Sequence, residues 1–335
     1  MTIKIGINGF GRIGRNILRA IVESERQDME VVAVNDLASV DRLALLFEFD
    51  SVHGRFSGSV ETLGNKLIVN GNPIDVTAEK EPANLPWNGV DVALECTGRF
   101  RTRSEAEAHL VNGARKVLIS APASGVDCTV VYGVNHSILK ASDQIVSNAS
   151  CTTNCLAPLA KVLNDGIGIR RGFMTTIHAY TGDQPVLDSI HKDSYRARAA
   201  GVSMIPTSTG AARAVGLVLP ELAGKLDGVA LRVPTQNVSV VDLSFESARA
   251  TTPEEINDAV RAAAHGPMRN VLGYTDKPNV SIDFNHDSRS SIFHTDQTRV
   301  MDDSFCRVLS WYDNEWGFSN RMTDVAAIMG GELAD

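Results

Sequence analysis

The sequence predicts a two-part α/β protein: a doubly wound parallel sheet, then an α+β domain built on a mixed or antiparallel sheet. Three observations predict it. Strand-like and helix-like runs alternate as far as residue 150; longer β-rich runs with less helix between them follow Cys151; and 335 residues suit about two domains.

In order, Ile3, Ile5 and Ile7 mark a strand, and Ile13, Ile17 and Ile21 recur as on one helix face. Met29–Val34 is an apolar run of the kind buried on both faces in a parallel sheet. Val90–Leu94 is a further strand. The helix after it is expected to carry a capping box of Ser104 and Glu107 and to end at Gly113. Lys116–Ile119 and Gln144–Val146 supply two more strands. Beyond Cys151 come the β-rich runs Phe173–Tyr180, Gly228–Val233 and Val238–Phe245. Thr252-Pro253-Glu254-Glu255 reads as a helix start with Thr252 as N-cap and a Glu closing the box. Ser281–Phe284, Ser291–His294 and Phe305–Tyr312 read as β, and Ser319–Met329 as a final helix. The domains are therefore expected at 1–150, completed by about 315–335, and at 151–314.

Composition excludes several classes. The net charge is −8, from 32 Lys+Arg against 40 Asp+Glu, so no global positive field would gather a nucleic-acid backbone. No apolar run is long enough for a membrane helix. Five cysteines without a CxxC pair argue against a disulfide framework or a metal site. A reduced, cytoplasmic protein is expected.

Gly9-Phe-Gly11-Arg12-Ile13-Gly14 matches G-x-G-x-x-G between a strand and a helix, and the next strand ends in Asn35-Asp36. Glycines let the backbone approach a pyrophosphate at the helix N-terminus, while Asp36 can accept from a ribose hydroxyl and repel a 2′-phosphate. The triad of features points to NAD on a Rossmann-type fold.

Asn148-Ala-Ser150-Cys151-Thr152-Thr-Asn154-Cys155 joins a strand to a helix, whose positive end would favour a thiolate at Cys151. Cys155, one turn on, is expected to be buried. Pro158 is expected to kink or shorten this helix. Among eight histidines, His178 stands at the end of an apolar run, where a proton acceptor for the thiol would be placed. His191–Arg198 concentrates basic residues. Pro206-Thr-Ser-Thr209-Gly210 is expected to start a helix, and Arg232 to close a strand. Together these suit an anionic, phosphorylated substrate. Arg232 is expected to recognise phosphate without touching the state of the thiol.

These residues resemble the glyceraldehyde-3-phosphate dehydrogenase family over the full length. The resemblance is carried by I-N-G-F-G-R-I-G-R from Ile7, D-S-V-H-G-R-F from Asp50, E-C-T-G from Glu95, S-N-A-S-C-T-T-N-C from Ser147, P-T-S-T-G-A-A from Pro206, R-V-P-T from Arg232 and W-Y-D-N-E-W-G-F-S-N-R from Trp311. It implies a homotetramer that oxidises glyceraldehyde 3-phosphate with inorganic phosphate and NAD, through a thiohemiacetal and a thioester. Cys151 then matches the nucleophile and His178 the general base. Arg12, Ile13, Asp36, Ser120 and Asn314 match cofactor contacts. Thr181 and Arg232 match one phosphate site, Ser150, Thr152, Thr209 and Gly210 the region of substrate and attacking phosphate, and Arg196 a basic loop residue. The resemblance alone supplies Ser120 and Asn314.

Some positions depart from the family pattern: Gln236 for proline, Phe47-Glu-Phe49 before Asp50, and Asp188-Ser-Ile190 for Asp-Gly-Pro. With Leu37 after Asp36, they leave NAD preferred and NADP as a weaker alternative. The rival readings are an erythrose-4-phosphate dehydrogenase and a non-catalytic NAD-binding redox sensor.

Overall fold

The computed structural model describes residues 2–331. The chain divides into two compact units, one of residues 2–130, 136–149 and 319–331, the other of residues 131–135 and 150–318.

The first unit is built on a nine-stranded sheet. Ile3–Asn8 lies at its centre, between Met29–Asn35 and Val92–Glu95, and every pairing from Cys128–Thr129 across to Asn72–Thr77 is parallel. The central strands are apolar on both faces, since helices cover them: Ile5, Ile7, Val34, Ala93 and Leu118 are all buried. This parallel crest directs the C-terminal ends of its strands, Asn8, Asn35 and Glu95, toward one edge. The sequence reading missed the helix Val40–Glu48 and the antiparallel excursion Val60–Leu63, Lys66–Val69 and Asn72–Thr77. A signal was present in Asn70-Gly71, which turns one hairpin with positive φ at both residues.

The second unit carries an eight-stranded mixed sheet. Ile169–Ala179 is its axis, parallel to Leu226–Val233 and antiparallel to Ser239–Ser247. Phe305–Tyr312 follows on the far side of Ser239–Ser247.

Several local expectations are corrected. The capping box is Thr102 with Glu105, two residues earlier than expected. Thr252 does cap its helix, but Glu255 turns to Thr251 and Arg249 instead of closing a box. Ser281–Phe284 is a 3-10 turn, because Asp283 accepts from the backbone of Val280 and the amide of Asn279. Pro206–Ser208 belongs to a strand, and the helix begins at Ala211. The last helix starts at Trp316, capped by Asp313.

Pro158 does not shorten its helix, which runs for 17 residues from Cys151 to Ile167. A proline inside a helix costs about 3 kcal/mol, whereas Leu156, Leu159 and Leu163 are buried and contribute roughly 1.5–3 kcal/mol each. Packing outweighs the break.

Candidate functional site

In the first unit the glycine loop is shaped by contact. Gly9 has φ +92°, and a Cβ there would lie 2.7 Å from the backbone nitrogen of Thr97. A Cβ on Gly14 would lie 2.2 Å from the carbonyl oxygen of Gly9, so the helix can sit over the loop only without a side chain. Gly11, the N-cap, faces open space; the helix Arg12–Glu23 that follows has no side-chain cap. A cavity of about 260 Å³ opens there, lined among others by Gly9, Gly11, Asp36, Lys80 and Thr97. Bare backbone at a helix N-terminus, with space for a ligand and an acid alongside, fits a dinucleotide.

Asp36 is tied to this loop. Its carboxylate accepts from the backbone of Phe10 at 2.9 Å and of Ala38 at 3.3 Å. Arg12 and Ile13 form the first turn of the helix. The Arg12 guanidinium pairs with Asp50 at 2.6 Å. Burial would raise the Asp50 pKa, but Arg12 and the N–H groups of His53 and Val52 outweigh it and hold it at about 2. Ser120 does not line the cavity; it offsets part of the rise that burial gives the thiol of Cys96, which does.

In the second unit, Ser150 caps the helix by accepting from Thr153 N at 3.1 Å and so fixes Cys151 as the first helical residue. The Sγ of Cys151 lies 3.5 Å from Nε2 of His178, which is the penultimate residue of its strand. Nδ1 of His178 donates to the carbonyl oxygen of Ala179 at 2.6 Å. A carbonyl only accepts, so the neutral ring carries its proton on Nδ1 and leaves Nε2 open to take one from the thiol. Burial lowers the His178 pKa to about 3, assisted by the charge of Arg232. The expected thiolate at Cys151 is corrected in part: burial raises the thiol, while Arg232 and hydrogen bonding to Thr152 pull it back. Arg232 therefore does bear on the cysteine.

Arg232 is in register with His178 on the neighbouring parallel strand. Its Nη1 donates to Ala179 O at 3.2 Å, Thr181 Oγ1 at 2.8 Å and Gln184 Oε1 at 3.3 Å, and its Nε is buried without an acceptor. Among the described residues no carboxylate forms an ion pair with it. A half-buried guanidinium bonded to neutral oxygens is chemically suited to an anion. Thr181 donates to Asp183, which also takes Arg196 at 3.1 Å. Arg196 Nε donates to Thr207 at 3.1 Å. Thr209 accepts from Ala211 N at 3.2 Å beside Gly210, the N-cap of the helix Ala211–Val218. Thr152 is drawn into the core, 2.8 Å from the hydroxyl of Tyr312. Asn314 is buried, its Oδ1 accepting from Ser239 at 2.8 Å.

Comparisons with known proteins show the family. Residues 3–103 match the model of the glyceraldehyde 3-phosphate dehydrogenase NAD binding domain, and residues 150–314 that of the C-terminal domain of the same enzyme. The chain is 67% identical over 330 residues to glyceraldehyde-3-phosphate dehydrogenase of Cereibacter sphaeroides, covering 98% of this chain and 99% of that protein. It is 67% identical over 332 residues to the one of Xanthobacter flavus, with the same coverage. That of Pseudomonas aeruginosa is 59% identical over 329 residues, 97% of this chain and 98% of the other. The chain belongs to the glyceraldehyde-3-phosphate dehydrogenase family.

Within this family member, two features escaped the sequence reading. Tyr312 sits in the motif W-Y-D-N-E-W, yet nothing in the spacing singles it out. Only the fold brings its hydroxyl between Thr152 and Thr176, at 2.8 and 2.9 Å, and its ring edge-on to His178. The strand-end residues Asn8 and Asn35 line the dinucleotide cavity and are bonded to each other at 2.8 Å. A polar residue closing an apolar strand was the available signal.

Proposed function

We propose that Cys151 is the nucleophile and His178 the general base in the oxidation of glyceraldehyde 3-phosphate to 1,3-bisphosphoglycerate, with NAD as cofactor. The contact of Cys151 Sγ with the unprotonated Nε2 of His178 supports this reading, beside an Arg232 that forms no ion pair with a carboxylate among the described residues.

His178 accepts the thiol proton at Nε2 as sulfur bonds to the aldehyde carbon and the carbonyl electron pair moves onto oxygen, giving a thiohemiacetal oxyanion on Cys151 beside the protonated imidazole. Bound NAD supplies the hydride acceptor that takes this adduct to the thioester level. A phosphate oxygen then attacks the thioester carbon, and the departing sulfur recovers its proton from His178. Arg232 and Thr181 hold the substrate phosphate, and Arg196, Ser150, Thr152, Thr209 and Gly210 supply the polar wall around substrate and incoming phosphate. Gly9, Gly11, Arg12, Ile13, Gly14, Asp36, Ser120 and Asn314 are assigned to the cofactor. The dinucleotide domain then comprises 1–150 and the last helix from about 315 to 335, of which 1 and 332–335 lie outside the described residues; 151–314 form the catalytic domain.

A homotetramer in the cytoplasm is proposed with it. Val186 (86%), Leu187 (77%) and Ile190 (103%) expose apolar surface on one loop, joined by Val202 and Met204. Such surface suits burial against further copies of the chain. All five cysteines are free, as in a reducing compartment. No helix of the described residues is long and apolar enough to cross a membrane.

The test is a stopped-flow assay of NADH formation with triose and tetrose phosphates, with and without inorganic phosphate. A single-turnover burst with the triose phosphate, becoming steady turnover only with phosphate, is expected. Turnover independent of phosphate would refute the acyl-phosphate step. Tetrose phosphate used better than the triose would favour the rival substrate.

A further inference from the structure

One end of the second unit's sheet brings two groups of the proposed site to one hydroxyl. Ser239 opens the strand Ser239–Ser247 and is buried. Its Oγ accepts from the backbone nitrogen of Ala179 at 3.0 Å, the amide directly after His178. It also bonds Oδ1 of Asn314 at 2.8 Å. The amide N–H of Ala179 donates to the Ser239 oxygen and leaves the hydroxyl proton free, and Oδ1 of Asn314, which can only accept, takes it.

We infer that Ser239 is a positioning residue that locks the peptide carrying His178 and the orientation of the Asn314 amide into one fixed relation. The inference rests on the proposed role of Asn314 toward the cofactor's carboxamide.

The logic is one of geometry and polarity. The Ser239 proton commits Asn314 to present its oxygen inward, so the NH₂ group is the end left to a ligand, as a donor suited to a carboxamide carbonyl. On the other side, Ser239 holds the 178–179 peptide. The next carbonyl, Ala179 O, orients the His178 ring at 2.6 Å and takes Arg232 at 3.2 Å. Asn314 is held from behind by its neighbour Asp313, whose carboxylate accepts from Asn237 Nδ2 at 2.7 Å, His286 N at 2.7 Å and Trp316 N at 2.7 Å. With its backbone so pinned, the remaining freedom of Asn314 is the rotation of its amide, and Ser239 removes it. The hydroxyl touches no reacting atom. It acts through the two groups it joins.

The test compares Ser239→Ala, Ser239→Thr and Ser239→Val in the full-length chain, since Thr keeps the hydroxyl and Val copies its shape without it. Two readouts are taken besides turnover: NAD affinity by titration calorimetry, and the pH profile of Cys151 alkylation in cofactor-free protein. The Ala and Val variants are expected to weaken NAD binding about tenfold and to displace the alkylation profile, and Thr to restore both. Thr and Val behaving alike would overturn the inference. So would an Ala variant that loses melting temperature while keeping both readouts. Asn314→Ala separates the underlying reading: if it leaves NAD affinity unchanged, the role of Asn314 falls and the inference with it. If Asn314→Ala weakens binding and Ser239→Ala does not, the role of Asn314 stands and Ser239 is merely structural.

Discussion

His178 and Arg232 stand in register on adjacent parallel strands and share one acceptor, the carbonyl oxygen of Ala179. This arrangement ties the proposed phosphate contact of Arg232 to the chemistry of sulfur. The fixed charge of Arg232 disfavours an imidazolium and favours a thiolate at Cys151.

Arg232→Ala removes the charge that lowers the thiol, so the Cys151 titration is expected to move to higher pH. Iodoacetamide alkylation followed from pH 5 to 10 checks this; an unchanged profile would show that the charge does not reach the sulfur. The same variant also loses a charge-assisted phosphate contact of about 1.5–3 kcal/mol. Its catalytic defect should be larger for glyceraldehyde 3-phosphate than for unphosphorylated glyceraldehyde. Equal losses on both would make Arg232 a structural residue.

Cys151→Ser is expected to abolish dehydrogenase turnover while calorimetric NAD binding persists. Cys155 is fully buried, its sulfur against Ser291 and Ser310. Cys155→Ser is therefore expected to cost stability or modest activity only. A dead Cys155 variant beside an active Cys151 variant would reverse the assignment.

Gly14→Ala places a methyl 2.2 Å from the oxygen of Gly9. A backbone oxygen cannot move aside as the end of a flexible side chain does, so the loop must open. NAD affinity and melting temperature are both expected to fall. Retention of parental affinity would mean that the loop has another arrangement for its ligand.

Asp36→Ser is expected to narrow the preference for NAD over NADP by roughly 1–3 kcal/mol, since it removes the charge that repels a 2′-phosphate. Because Asp36 also accepts from Phe10 N, affinity for NAD itself should drop. Ratios of kcat/KM for the two cofactors measure the first effect. An unchanged ratio would move selectivity away from Asp36.

The Arg12–Asp50 pair makes a pH prediction. The folded-state pKa of Asp50 is depressed to about 2, below its value of ~3.9 in an unfolded chain. Its contribution, on the order of 2–3 kcal/mol, is present above pH ~4 and is lost as pH falls through about 2. Asp50→Asn should therefore be less stable than the parent at pH 7, with the gap closing toward pH 2. Urea unfolding across that range is the measurement, and a gap independent of pH would contradict it.

Local periodicity and glycine placement were sufficient for the strands Ile3–Asn8, Met29–Asn35, Val92–Glu95 and Lys116–Ile119, though not for Val40–Glu48 or the hairpins after it, and for the glycine loop before a helix, the acid closing the next strand and the cysteine at a helix start. Each depends on residues within a few positions of one another, where backbone sterics and capping act without help from distant chain. Motif resemblance then added Ser120 and Asn314, which no local rule reaches. Tertiary structure alone decided the rest. It carried the helix through Pro158, because buried leucines outweigh one missing hydrogen bond. It set the Cys151–His178 contact and the Arg232 register across 27 and 54 residues of chain, which only the pairing of strands can close. And it shifted the thiol and the imidazole away from their ordinary titration ranges, because the cost of leaving water is settled by what surrounds a group, not by its neighbours in sequence.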